Sequence, residues 1–205
     1  MFGTVYCDFD GTLIQGDIER EWVSFLRRKH YLTFQNYLAA CISLPINLFM
    51  RLLDRSSLLK AWTVGIGDEE IIRLFPEFYI ASGDKLQINP NVLEFIQIHS
   101  EENRIVILTG SDTRLIKQFL GIVELPVIID EIIGSAVKPG GLWVSQHPYG
   151  VCKRKYITDN NKSIGIANET ADRHYLKICD EAYVVAATAD NGLIALANKM
   201  NWRLI

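Results

Sequence analysis

Four short runs of this 205-residue chain are apolar at nearly every position and rich in Val and Ile. They are residues 2–8 (FGTVYCD), 104–109 (RIVILT), 162–167 (KSIGIA) and 182–187 (AYVVAA). Strands of this kind are buried on both faces, which requires a parallel sheet covered by helices. Helical patterns separate the later runs, at 90–102, 112–120 and 190–200. Strand alternating with helix predicts an α/β fold.

One interval breaks the rhythm. About ninety residues separate the first strand from the second, whereas a crossover needs only a dozen or so. The interval reads as helical throughout: an amphipathic 17–30, an apolar 34–53, and 68–80 after the GIGD sequence. It predicts an inserted helical subdomain over 14–88, on a core made of 1–13 and 89–205. Gly16 lies near one hinge and Asn89-Pro90 near the other. Residues 31–50 carry no formal charge, but Thr33, Gln35, Asn36, Ser43, Pro45 and Asn47 dilute them. They suit a core helix of the insert better than a membrane span. Arg27-Arg28-Lys29 precede them, a solvated helix face that also suits contact with anionic lipid headgroups.

Composition narrows the class further. Hydrophobic residues make up 49% and charged residues 22%, enough to bury a core. The net charge of −3 gives no bulk attraction to nucleic acid. Cys7, Cys41, Cys152 and Cys179 are far apart and form no CxxC pair, so neither a zinc site nor a disulfide framework is expected. A reducing, cytoplasmic setting follows as the expectation. The first residues lack the basic and apolar regions of a signal peptide. His30, His99, His147 and His174 show no metal spacing.

The chemistry is concentrated where strands end. Asp8-Phe9-Asp10-Gly11-Thr12-Leu13 follows the first strand directly, and in open α/β sheets sites form at the carboxyl ends of strands. A close carboxylate pair suits a hard cation, or a nucleophile with an acid/base. The same residues also suit a strand ending in an Asx turn. Cys7 alternates to the other strand face, as a small buried hydrophobe. At Thr109-Gly110-Ser111 a hydroxyl and backbone N–H groups suit a phosphate oxygen, or Ser111 or Asp112 simply caps the next helix. Lys153, in Tyr149-Gly150-Val151-Cys152-Lys153, would open a helix beside the same crevice, with Lys155 as its competitor. Asn168 and Asp172 follow the third run, where an Asn cap with an acidic first turn is the plain alternative.

Taken together, DFDGTL at 8–13, LTGS at 108–111, GxxK at 150–153 and NETAD at 168–172 resemble the haloacid dehalogenase superfamily. The likeness is to its phosphoserine-phosphatase-like members, which carry a helical cap after the first strand. Relatives acting on lipid phosphates belong to the same group. The resemblance implies a Rossmannoid parallel-sheet core with an inserted helical cap. It implies a Mg²⁺-dependent phosphatase in which Asp8 forms an aspartyl-phosphate and Asp10 is acid, then base. Thr109, Gly110 and Ser111 would bind phosphate, with Lys153 offsetting its charge. Asp8, the Asp10 carbonyl, Asn168 and Asp172 would make the Mg²⁺ site. Asp17, where relatives often carry an acid, would face the substrate. The cap resembles relatives in length and helical character, not in residues that reveal a substrate.

Asn168 departs from the pattern, which has Asp there. One formal charge is lost, Asp172 compensates in part, and Glu169 is expected to point elsewhere. An active phosphatase is the leading expectation, and a catalytically weakened phosphate-ligand or partner-binding protein the alternative. The substrate expected is a small-molecule or lipid phosphomonoester, with peripheral membrane contact through the cap as a further expectation.

Overall fold

The structure, a computed structural model, describes residues 3–32, 66–137, 144–157 and 162–205, with isolated positions 34, 37, 38, 41, 42, 45 and 63. Strand β1 (Gly3–Cys7) lies at the centre of a seven-stranded sheet. It pairs in parallel with β2 (Asn103–Asp112) on one side and β5 (Ser163–Ala167) on the other. Outward from β2 lies β3 (Glu131–Val137), then β4 (Val144–Gln146), which runs antiparallel at the edge. Outward from β5 lie β6 (Glu181–Val184) and β7 (Arg203–Leu204), both parallel. The order is β4-β3-β2-β1-β5-β6-β7.

The side-chain alternation of β1 explains why the whole strand is apolar. Val5 and Cys7 enter one hydrophobic cluster, with Ile105, Ile107, Ile164 and Ile166. Tyr6 enters a second, with Val106, Leu108, Ala167 and Val184. Period-2 alternation therefore feeds two cores, one on each face of the sheet. Cys7 is fully buried in the first, and burial pushes its thiol pKa well up. All four cysteines are free.

Four of the six helices described start where a side-chain oxygen caps them. In α1 (Ile18–Arg28), Asp17 accepts from Arg20 N at 2.8 Å. Helix α2 (Asp68–Ser82) contains Pro76 within it. Helix α3 (Pro90–Ser100) is capped by Asn89, with Pro at the first position. In α4 (Thr113–Ile122) the cap is Asp112, which accepts from Arg114 N. A short α5 spans Arg173–Leu176. Helix α6 (Asn191–Met200) is capped by Asp190.

Helices α1 and α2 come from the interval between β1 and β2. They meet through Trp22, Phe25, Phe75 and Phe78, all fully buried and in ring contact. These rings belong to the same cluster as the sheet residues Val5 and Ile105. The chain enters and leaves this region along a short antiparallel stem: Gln15 N donates to Gln87 O and Asn89 N to Leu13 O, each at 2.8 Å, with a bridge between Ile14 and Ile88. The helix expected over 34–53 lies largely outside the described residues, as does most of the uncharged 31–50 stretch. Among the described residues no helix is long and apolar enough to cross a membrane.

The structure adds or corrects several elements. Strand β2 continues past Thr109 to Asp112, so Asp112 rather than Ser111 caps α4. Lys153 sits inside a 3₁₀ helix, Gly150–Tyr156, instead of opening an α-helix. Asn168 does not cap a helix; a 3₁₀ turn over Thr170–Asp172 comes first. Strands β3, β4 and β7 have no counterpart in the apolar runs, because β3 is interrupted by Gly134-Ser135 and the other two span only three and two residues.

Candidate active site

The parallel strands bring their carboxyl ends to one edge. Asp8 continues β1, its N–H bonding Ile166 O at 3.0 Å. The carboxylate of Asp8 meets Lys153 Nζ at 2.7 Å, and the same nitrogen meets Asp172 at 2.7 Å. All three side chains are under 10% exposed. Burial opposes the charge on Lys153, but Asp172 and Asp8 outweigh it and push its pKa up, so the ammonium persists. Burial raises the Asp172 carboxyl to about 7, against the pull of Lys153.

Asp10 is placed by the start of the insert. Its Oδ1 accepts from Ile18 N, the first residue of α1, at 2.7 Å. Its other oxygen meets the Ser111 hydroxyl. Burial, and then the charge of Asp17, push its pKa well above the usual carboxylate range; the bonds from Ser111 and Ile18 work the other way. A carboxyl that keeps its proton to higher pH than usual is better equipped to give it.

Between the two aspartates and the next residues the chain turns sharply. Gly11 adopts φ +68°, a conformation that favours glycine. Its carbonyl accepts from the Thr188 hydroxyl. Thr12 Oγ donates to Asn168 Oδ1 at 3.0 Å. The loop from β2 supplies Thr109, Gly110 and Ser111, with Thr109 Oγ1 accepting from Ser111 N at 3.1 Å.

One cavity of about 190 Å³ unites these groups. Asp8, Asp10, Thr109, Gly110, Ser111 and Lys153 line it, together with Asp17 and Asp172. Asn168 is the predicted site residue that does not reach the wall: its amide is turned onto Gly11 and Thr12. Three lining residues were not anticipated as such: Glu19, Tyr149 and Glu169. Glu169 does not point elsewhere, as expected from sequence; it faces the cavity, and burial, then Asp8, raise its pKa. Glu19 is fully buried and accepts from Asp112 N at 2.7 Å, a role that one acid in an amphipathic helix does not announce.

The lining thus holds six carboxyl groups and one ammonium. Such a wall repels a phosphate dianion unless carboxyls are protonated or a cation is bound. The carboxylates of the wall suit a hard cation in kind, while the Asn168 amide oxygen accepts from Thr12 instead of joining them. Among the described residues, though, no three His, Cys, Asp or Glu side chains are grouped as a metal site. Carboxylate oxygens of this kind fit magnesium by chemistry.

A family model described as haloacid dehalogenase-like hydrolase matches residues 5–177. Among curated proteins, none matches the chain by sequence. Solved structures with the same fold include a protein of unknown function from Bordetella pertussis Tohama I, with TM-score 0.75 and 12% identity over 100% of this chain and 98% of that one. A phosphoserine phosphohydrolase-like protein from Francisella tularensis aligns with TM-score 0.59 and 14% identity, over 100% and 95% of the two chains. A substrate-bound phosphoserine phosphatase aligns with TM-score 0.58 and 12% identity, over 100% and 92%.

Proposed function

We propose that this chain, which belongs to the haloacid dehalogenase-like hydrolase family, hydrolyses a phosphomonoester by way of an aspartyl-phosphate on Asp8. The observation that carries the reading is the division of labour between two carboxyls at one strand end. Asp8 is paired with a buried ammonium, while Asp10 is raised by burial and by Asp17. An environment that raises one carboxyl of such a pair assigns it as the acid and leaves the other as nucleophile.

In the first step a carboxylate oxygen of Asp8 bonds to phosphorus as the P–O bond to the leaving group breaks. Asp10 gives its proton to the departing oxygen. In the second step Asp10, now a carboxylate, takes a proton from water as that water attacks phosphorus. The Asp8–phosphorus bond breaks and inorganic phosphate leaves. Thr109 and Ser111 orient the phosphoryl oxygens beside Gly110, and Lys153 offsets their charge. Positioning and electrostatics supply most of the rate in such transfers. A bound Mg²⁺ would be held by Asp8, the Asp10 carbonyl and, with its amide released from Thr12, Asn168, beside the Asp172–Lys153 pair, and would neutralise charge on the phosphoryl group.

A lipid or otherwise amphipathic phosphate is part of the proposal, alongside a small polar one. Phe34, Tyr37, Leu38 and Ile42 are exposed at helical spacing in the insert, a pattern that suits peripheral contact with a bilayer at its cytoplasmic face. One observation favours a second reading, a phosphate-binding protein with little turnover: the amide of Asn168 is committed to Thr12 and Gly11 and adds no charge.

Hydrolysis of an aryl phosphate across a Mg²⁺ titration tests both, with wild type and Asp8→Asn side by side. Turnover lost on Asp8→Asn supports the enzyme. Wild type that binds inorganic phosphate but is inert at every Mg²⁺ concentration supports the second reading.

A further inference from the structure

The loop that would hold the phosphoryl group is a bulge in β2, and its neighbours show what holds it out. Leu108 pairs with Ile133 and Asp112 with Ser135. Thr109, Gly110 and Ser111 thus stand opposite the single residue Gly134. Bulges beside active sites re-aim side chains, at the cost of ladder hydrogen bonds. The Gly110 carbonyl, out of the ladder, is met instead by the Ser135 hydroxyl at 2.5 Å. Ser135 Oγ is also 2.8 Å from His147 Nδ1. Both side chains are buried.

The hydrogen count orders this chain of contacts. Ser135 has one hydroxyl hydrogen, and a carbonyl can only accept. The hydroxyl donates to Gly110 O, so His147 Nδ1 carries a hydrogen and donates to Ser135 Oγ. Gly134 fits the same arrangement: a Cβ there would lie 2.8 Å from Ser111 O and 2.9 Å from Thr113 Oγ1. Thr113 Oγ1 in turn donates to Ser135 O at 2.9 Å. On its other side His147 stacks on Tyr149, with centroids 5.7 Å apart and planes 9° from parallel. Tyr149 is a wall of the cavity.

We propose that Ser135 and His147 are positioning residues for the reaction: they fix the Gly110–Ser111 peptide plane, and with it the Thr109 and Ser111 side chains in the cavity wall. A trans peptide points its N–H opposite to its C=O. Anchoring Gly110 O towards β3 therefore turns Ser111 N–H the other way, where it meets Thr109 Oγ1. Without the anchor the peptide is free to rotate, and both groups lose their aim.

For its activity readout the inference rests on the phosphatase reading. The experiment compares Ser135→Ala, His147→Leu and His147→Asn with wild type, and carries Asp8→Asn as the control for that reading. Asn keeps an amide donor near the place of Nδ1; Leu keeps bulk without it. Three quantities are read: kcat and KM on an aryl phosphate, the melting temperature, and amide hydrogen exchange at Gly110 and Ser111. Ser135→Ala and His147→Leu are expected to lower kcat on the order of 10- to 100-fold, the scale of a misplaced catalytic group. KM moves little, exchange at Ser111 accelerates, and His147→Asn recovers most of the loss. Unchanged kcat with only a lowered melting temperature overturns the proposal, as does an Asn variant no better than Leu. If wild type and Asp8→Asn are equally inert, it is the phosphatase reading that has failed. Exchange then decides alone, and unchanged protection of Gly110 and Ser111 in His147→Leu overturns the positioning role.

Discussion

The side-chain amide of Asn168 rests against the backbone of Gly11, so closely that a Cβ on Gly11 would lie 2.1 Å from its Nδ2. Two segments 157 residues apart are thereby interlocked at the site, and the left-handed φ of Gly11 makes room for the contact. Gly11→Ala therefore meets both a steric and a conformational penalty. The variant should lose about 1–3 kcal/mol of stability and most of its activity. Chemical denaturation and aryl phosphate turnover check this, and a variant as stable as wild type would show that the Asn168 amide moves aside without cost.

Asn168→Asp adds a carboxylate at the position the family resemblance assigns to the metal site. Affinity for a hard cation follows ligand charge, so the Mg²⁺ concentration for half-maximal turnover should fall roughly tenfold. A Mg²⁺ titration of both proteins reads the shift directly. An unchanged or raised requirement would remove position 168 from the metal site.

Lys153→Met removes the cation shared by Asp8 and Asp172. Breaking a buried ion pair from one side typically costs about 3–5 kcal/mol, and burial here leaves little solvent to screen the loss. Turnover should vanish together with much of the stability. Lowering the pH from neutral should partly rescue stability, because Asp172, whose carboxyl is already pushed up to about 7 by burial, then protonates more readily. Thermal melting of the variant at two pH values tests the sign.

Asp10 must be protonated to act as the acid, so activity should fall as pH rises through its raised pKa. Burial leads that shift and the Asp17 carboxylate adds to it. Asp17→Asn removes a like charge and lowers the Asp10 pKa. The alkaline limb of the pH–rate profile should accordingly move to lower pH. A limb that stays in place would mean that another group limits the rate.

Much of the fold was legible because β1, β2, β5 and β6 are buried on both faces, and burial writes an unbroken apolar run. β3 was not, since the same Gly134 and Ser135 that support the bulge interrupt its run. Asp8, Asp10 and Lys153 were legible as strand-end chemistry, and the structure brings them to one cavity. Glu19 escaped notice and Glu169 was expected to point elsewhere, because the signal that singles them out is three-dimensional: one is buried against the Asp112 amide, the other turned into the cavity. Asn168 was noticed for its lost charge, but its engagement with Thr12 and Gly11 depends on a contact between distant segments that spacing does not encode.

The stem at 13–15 and 87–89 holds the two ends of the intervening polypeptide side by side. Closing a loop whose ends are already fixed costs free energy that grows only with the logarithm of its length. The sheet is therefore nearly indifferent to how many residues hang from that stem. It acts as a graft junction for chain beyond the start of α1, whose Ile18 N–H and Glu19 carboxylate must stay to hold Asp10 and Asp112 N.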